Sequence, residues 1–272
     1  MLGLCLNLDH ATDRWEYTRE NFAKQNIQLQ RVSAVVGNEL PFPIPEHDAE
    51  VYLRWHGKRT VPAEVGCFLS HIKAMHLFLD SEESFALICE DDVSPVNNLE
   101  EILTNALGFQ DHWDILRLSG FHDAKPQPIA QLKHSHSLCV NLKFLAGTGA
   151  YLINRHAASI LSERLLPMFL PYDHALDREW QWGLKSLCVH PLPIDQGDHD
   201  FSTQIQTRNS KAPWYQRYWT VAPFRVKTKW MRFIHRGSTL IRHRIRFNQE
   251  KFAIAMDYRV EPRSACLTMN KA

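Results

Sequence analysis

Residues Ser84 to Asp92 read SFALICEDD, an apolar run that closes on three consecutive carboxylates, Glu90, Asp91 and Asp92. Like charges at one spot repel, and burial raises carboxylate pKa values further unless something positive compensates. Phe85 to Cys89 has the length and apolar character of a strand buried on both faces. Open α/β sheets collect their ligands beyond the carboxyl ends of strands, which is where the triplet falls. Oxygen donors there suit Mg²⁺ or Mn²⁺ bound jointly with phosphate oxygens, because these ions take a few carboxylates plus substrate rather than a closed protein cage. Taken alone, the triplet also fits a solvated acidic turn.

The surrounding pattern supplies the elements such a site needs. Leu2 to Leu8 reads as a first strand, and Asp13-Arg-Trp-Glu16 is a D-x-x-E capping box that predicts a helix to about Gln25, with Trp15 and Phe22 on one face. Ile27 to Val36 alternates like a second strand. The stretch ELPFPIPEHDAE, with prolines at alternate positions, predicts a surface loop or lid. Pro62 then opens a helix whose apolar residues Val65, Phe68, Leu69, Ile72, Met75 and Leu79 keep the helical period. Further on, Asn97 to Leu107 reads as helix, Trp113 to Leu118 and Leu138 to Leu145 as strands, and Gly147 to Ile153 as a glycine-punctuated turn running into a strand. Arg155 to Leu166 is helical up to Pro167, and Asp173 to Leu187 predicts another helix before the strand-like CVHPLPI. Strands alternating with helices predict an α/β protein, a mostly parallel sheet covered by helices on both faces.

With 272 residues, 44% of them hydrophobic, the chain can fill a large core. The net charge of +1 conceals a polarity, because residues 209 to 251 hold eleven Lys or Arg against one acid, Glu250. We therefore divide the chain into a body, residues 1–208, and a basic, aromatic-rich C-terminal segment, residues 209–272. That segment alternates rings with cations (WYQRYW, FRVKTKWMRF, IRHRIRF), a composition suited to an anionic lipid headgroup surface. No RNA- or DNA-binding motif accompanies the charge, so no nucleic acid is expected as a partner. A solvated helix packed on the body is the plainer alternative. No apolar run of 18 residues and no signal-peptide pattern is present, which predicts a cytoplasmic protein, peripheral on the inner membrane face if it meets a membrane. The six scattered cysteines suggest neither a disulfide framework nor a zinc site.

The motifs NLDHATDR (Asn7 to Arg14), EVGCFLSH (Glu64 to His71), ALICEDDV (Ala86 to Val93), GTGAYLI (Gly147 to Ile153) and PYDHAL (Pro171 to Leu176), in that order, resemble glycosyltransferase family 25. The resemblance covers roughly residues 2 to 205. It implies a GT-A-like fold, a UDP-sugar donor, commonly UDP-galactose, and a lipooligosaccharide acceptor. It also implies an Mn²⁺-type cofactor held by the EDD cluster, and inversion at the anomeric carbon.

Beside that resemblance, each residue has a physical task. A metal at Asp92 and Asp91 stabilises the charge that develops on a departing diphosphate, with Glu90 either facing the ribose or capping the turn. Asn7, Asp9 and Arg14, at the exit of the first strand, lie where a nucleotide binds; an ordinary helix-start ion pair is the alternative for Arg14. Glu64 and His71, seven residues apart, share one face of their helix and are candidate donor contacts, or else cap, core or solvated face. Gly147, Thr148 and Gly149 allow close approach of backbone to a sugar, or form a bulge. Arg117 is a lone charge in an apolar strand and a candidate donor or acceptor contact, or else a side chain that reaches the surface. Inverting transfer requires a base, for which Asp173 is the first candidate, His174 and Asp177 the reserves, and a helix N-cap the competing role for Asp173. His190, His199 or Asp198 are candidates for a further metal ligand. Rival functions on the same residues are a metal-dependent phosphoesterase and an inactive module that binds glycan or membrane.

Overall fold

The computed structural model describes residues 1–122, 124–196 and 211–257, with side chains described as far as residue 245. The chain opens as the alternation predicts, with β1 (Leu2–Asn7), α1 (Thr12–Ala23) and β2 (Gln30–Ser33), β1 and β2 pairing in parallel. The proline-rich stretch is a loop, and it leads into a helix that the sequence reading did not find, α2 (Ala49–His56). There follow α3 (Pro62–Leu79), β3 (Phe85–Glu90), β4 (Val93–Pro95), α4 (Leu99–Leu107), β5 (Ile115–Arg117), β6 (Pro126–Gln131), β7 (Ser137–Asn141), β8 (Ala150–Asn154) and α5 (Arg155–Arg164). After α6 (Tyr172–Leu176) come β9 (Ser186–His190), β10 (Ile194–Gln196), α7 (Trp214–Gln216), a π-helical turn and α8 (Ala222–Asp257).

Eight strands form one sheet in the order β2-β1-β3-β8-β5-β9-β7-β6, while β10 and β4 pair separately. Six of the eight run one way, because only β8 and β7 are antiparallel to their neighbours on both sides. This is the predicted mostly parallel sheet. Side chains alternate across it as the pleat requires. Leu4, Ile88, Ile115 and Tyr151 pack toward α3 and α5, whereas Cys5, Leu87, Leu116 and Leu152 pack toward α1 and α4. Both faces are therefore covered.

Three local readings are corrected. Asp13 does not cap α1, whose N-cap is Ala11 without a side-chain bond; Asp13 lies in the first turn. The helix expected over Asp173 to Leu187 is a five-residue α6, a 3-10 turn at Glu179–Trp182, and then the start of β9. Strand β6 went unseen because Pro126 and Pro128 lack an N–H, which only an edge strand tolerates, and β6 is the sheet's edge.

The basic segment forms the long α8, which lies against β6 and β7. Its buried face is Arg232, Arg236, Leu240 and His243. Arg236 makes a two-pronged bond to Glu179, Nε to Oε1 and Nη2 to Oε2, each 2.9 Å, and a 3.0 Å bond to Asp177. Its Nη1 donates to the carbonyls of Asn141 and Lys143, both at 3.2 Å. Facing away from the body are Trp230, Phe233, Ile234, Ile241 and Ile245, all more than half exposed. Among the described residues, no helix is long and apolar enough to cross a membrane.

Candidate active site

The sheet order places β1 between β2 and β3, so the chain passes from β1 to β2 on one side and then crosses to β3 on the other, the switch point at which open α/β sheets form a crevice beyond the carboxyl ends of their strands. Asn7 ends β1 and the acidic triplet ends β3. The crevice is bridged there: Asn7 Nδ2 donates to Asp91 Oδ2 at 2.7 Å and to the Ala11 carbonyl at 2.8 Å.

The triplet does not converge as one unit. Glu90 is the last residue of β3 and shares the parity of Ala86 and Ile88, so the pleat turns it toward α3. There its Oε1 lies 3.7 Å from His71 Nε2, and its Oε2 accepts from Gln196 Nε2 at 3.4 Å. Asp91 turns to the opposite face, where it is buried. It meets Arg14 Nη2 and Asn7, and its carbonyl accepts from Thr18 Oγ1 at 2.9 Å. Asp92 is the outward member, its side chain 35% exposed and 3.4 Å from the same Arg14 nitrogen. Burial pushes the Glu90 carboxyl up to about 7, with Asp91 adding to the rise and Arg14 opposing it. Burial also raises Asp91, against the opposing pull of Arg14 and the Asn7 hydrogen bond.

These positions fit a divalent cation that uses few protein ligands. Asp92 presents a carboxylate to the crevice, whereas Asp91 is already engaged by Arg14 and Asn7. Glu90 belongs to a different cluster: its carboxylate, Cys67 and His71 bring their ligand atoms within 4.8 Å of one another. Cys67 and His71 are one helical turn apart on α3. The sequence reading passed over Cys67, although the four-residue spacing to His71 was present in EVGCFLSH. His71 is fully buried, its ring stacked on Tyr172 at 3.8 Å and its Nδ1 3.2 Å from the Tyr151 hydroxyl, itself 2.7 Å from the Tyr172 hydroxyl. Desolvation pushes His71 down to about 3, and Arg117 adds to the effect.

The opposite wall is the glycine turn before β8. Gly147 has φ +83°, a conformation that favours glycine, and its N–H donates to Asp173 Oδ2 at 3.3 Å. Gly149 donates to Gln196 Oε1 at 3.1 Å, and a Cβ there would lie 2.6 Å from Gln196 Cδ. Gln196 thus ties the glycine turn to Glu90, a role no local pattern announced. Thr148 between the two glycines is buried. Arg117 is buried beneath the turn, where its Nη2 donates to the carbonyls of Gly147 and Leu145; it supports the turn from below.

Asp173 is not the N-cap of α6, a position held by Pro171. Its Oδ1 accepts from the His174 N–H at 2.8 Å, and its second oxygen faces the glycine turn from a half-buried position. Its charge acts on Cys67, Glu90, Arg117 and Tyr52, so it belongs to the surroundings of the Cys67–His71–Glu90 cluster. His174 instead stacks on Phe144 at 4.5 Å and meets His56 edge-on at 5.5 Å. Asp177 is enclosed by α8, 2.5 Å from Arg232 Nε and 3.0 Å from Arg236, and only 1% exposed. Glu64 takes the cap role, accepting from the Val61 N–H at 3.3 Å, and also accepts from the Tyr52 hydroxyl at 3.0 Å. Asp9 is exposed and bound to Arg31 and Ser33. His190 ends β9, paired with Ser137 in β7, and His199 and Asp198 lie outside the described residues.

Comparison with known proteins gives three findings. A profile described as glycosyltransferase family 25 (LPS biosynthesis protein) matches residues 3–176. Procollagen galactosyltransferase 1 of Danio rerio is 26% identical over 181 residues, which cover 63% of this chain but 30% of that protein. Among solved structures, the inositol-1-phosphate CTP transferase of T. maritima aligns with 72% of this chain and 69% of its own, at 12% identity and TM-score 0.36. A glycosyltransferase involved in glycosylating the major capsid of PBCV-1 aligns with 69% of this chain and 79% of its own, at 12% identity and TM-score 0.33. Likenesses that slight carry no inference.

Proposed function

The chain belongs to glycosyltransferase family 25, and from that premise we propose that it transfers galactose from UDP-galactose to a lipooligosaccharide acceptor with inversion at the anomeric carbon. The observation that carries this reading is the grouping beyond the carboxyl ends of β1 and β3: Arg14 pairs with Asp91 and Asp92, the Gly147 N–H holds Asp173, and the charges of Asp92 and Asp173 both act on Cys67. Diphosphate is the leaving group of a sugar nucleotide, and the charge it gains must be met by preorganised positive groups. Arg14, held in place across Asp91 and Asp92, supplies one of them. A bound Mn²⁺ or Mg²⁺, with Asp92 as its protein carboxylate, would supply further charge stabilisation to the diphosphate.

In this reading Asp173 takes the proton of the acceptor hydroxyl as its oxygen attacks the anomeric carbon and the bond to the diphosphate breaks. The Gly147 N–H fixes that carboxylate, and the glycine turn lets the sugar ring come close to the backbone. Asn7 orients Asp91, so both act through Arg14 rather than on the donor.

The apolar outward face of α8, flanked by Arg242 and Arg244, supports peripheral attachment to an anionic membrane surface, where a lipid-linked acceptor resides. Liposome co-sedimentation tests this part: equal recovery with neutral and anionic vesicles, or no loss in Trp230→Ala/Phe233→Ala, would refute it.

The test of the transfer itself is release of UDP from a panel of UDP-sugars with Mn²⁺, with and without truncated lipooligosaccharide. Asp92→Asn should lower kcat by about 10²- to 10³-fold, the cost typical of losing one group that stabilises transition-state charge. Full activity in Asp92→Asn, or phosphate release from simple esters with no sugar transfer, overturns the assignment.

A further inference from the structure

Between α2, the turn after α6 and the first turns of α8 lies an open cavity of about 820 Å³. Small-molecule sites commonly occupy about 300–1,000 Å³. Trp55, Trp180 and Trp219 share its wall with Arg178, Lys227 and His235, and among the described residues no carboxylate lines it. None of these residues takes part in the crevice described above.

Two buried groups there lack the partner their chemistry demands. The first is Arg178, 7% exposed. Its guanidinium donates to Thr228 Oγ1 at 2.6 Å and to Gln181 Oε1 at 3.1 Å, and it lies 4.8 and 5.3 Å from the ring centroids of Phe224 and Trp180. Among the described residues no carboxylate pairs with it. Its neighbour Asp177 is taken by Arg232 and Arg236, and Glu179 by Arg236, so three arginines face two acids. Burial pushes Arg178 down to about 10, with Arg232 adding to the fall and Asp177 opposing it, as expected of a cation short of counter-charge. The second group is the Trp180 indole Nε1, buried without an acceptor among the described residues, although buried indole donors usually find one.

A ligand that completes this site must bring an anionic oxygen to Arg178, an acceptor oxygen to Trp180 and an apolar ring face to the tryptophans. A sugar ring stacked by its C–H face and carrying an acid group has all of these, whereas inorganic phosphate has no ring and a neutral sugar no charge. We propose that this cavity binds an anionic saccharide, a sugar unit bearing a carboxylate or phosphate, as the part of the acceptor that anchors it. Position favours the acceptor role. Arg178 follows α6, which carries Asp173, and Trp55 adjoins His56, whose ring meets that of His174 at 5.5 Å. The anchoring role rests on the glycosyl-transfer reading; saccharide binding does not.

Saturation-transfer NMR on the full chain, with glucuronic acid, glucose 6-phosphate, glucose and inorganic phosphate as probes, tests the binding. Both acidic sugars should bind at least tenfold more tightly than glucose or phosphate. Trp219→Ala/Lys227→Ala alters two exposed side chains and should weaken them tenfold or more. Trp180→Phe keeps a ring but removes the N–H, and should weaken them severalfold. Equal binding of glucose 6-phosphate and free phosphate, equal binding of glucose and glucuronic acid, or unchanged affinity in the double variant would each overturn the proposal. In the transfer assay the double variant should raise acceptor KM tenfold and leave acceptor-free UDP release unchanged; an unchanged acceptor KM overturns the anchoring role. A wild type that releases no UDP from any donor, yet binds acidic sugars, sinks the transfer reading and leaves the binding site standing.

Discussion

Replacing Arg236 by alanine measures how firmly α8 belongs to the body. Arg236 is 5% exposed and spends its guanidinium on Glu179, Asp177 and the carbonyls of Asn141 and Lys143. Burial works against its charge, yet Asp177 and Glu179 carry its pKa above the ordinary value. Removal leaves two acids buried 1% and 2% exposed, with Arg232 the one described cation still paired to them, through Asp177. Breaking a buried pair by deleting one partner costs about 3–5 kcal/mol. At roughly 2–4 °C per kcal/mol for a chain of this size, the melting temperature should fall by roughly 6–20 °C. The loss should depend on pH with a defined sign. Burial already raises Glu179, and removing Arg236 takes away the main opposing influence. A raised folded-state pKa means that the folded protein binds more protons than the unfolded chain between the two values, so stability falls as pH rises. The deficit should therefore be largest at pH 8 and shrink toward pH 5, as read by thermal melts across that range. Arg242→Ala, an exposed control on the same helix, should shift the melt by about 0.5 kcal/mol or less. If Arg236→Ala melts with the wild type at every pH, α8 is not docked through this cluster.

Gly149→Ala should lower kcat at least tenfold, because the added methyl meets the Gln196 amide and breaks its tie to Glu90, and should also lower the melting temperature, because the methyl lies 2.9 Å from buried Val93; wild-type kinetics would refute the role given to Gln196. His56 is pushed down to about 3 by burial, with His174, Lys58 and Arg225 adding to the fall. Between that value and the ordinary 6.5 the unfolded chain binds the extra proton, so stability is complete above pH 6.5 and is lost as pH falls. Urea titrations of His56→Phe should show a stability slope shallower by up to about 1.4 kcal/mol per pH unit over that window. An unchanged slope would mean that His56 takes its proton in the folded state.

The order of the early elements was legible because it is written in short-range periods. The short continuous apolar run Phe85 to Cys89 and the 3.6-residue spacing from Val65 to Leu79 are both local patterns, and β3 and α3 formed where they pointed. Asp92 and Arg14, both placed by the sequence at strand exits, do stand there, 3.4 Å apart.

What the sequence did not determine is which side chains meet. One extra strand residue, Glu90, decided that the first acid of the triplet faces α3 and His71 while the second faces α1 and Arg14, because the pleat reverses direction at each residue. Asn7 meets Asp91 across 84 positions, and Gln196 meets Glu90 across 106, distances over which no local pattern carries information. Asp177 had the chemistry of a base, yet α8 closed over it from downstream with two arginines, Arg232 and Arg236. Residue types and spacing set the inventory of charges in this protein. The packing of sheet, glycine turn and α8 decided which charges face the crevice and which neutralise one another in the interior.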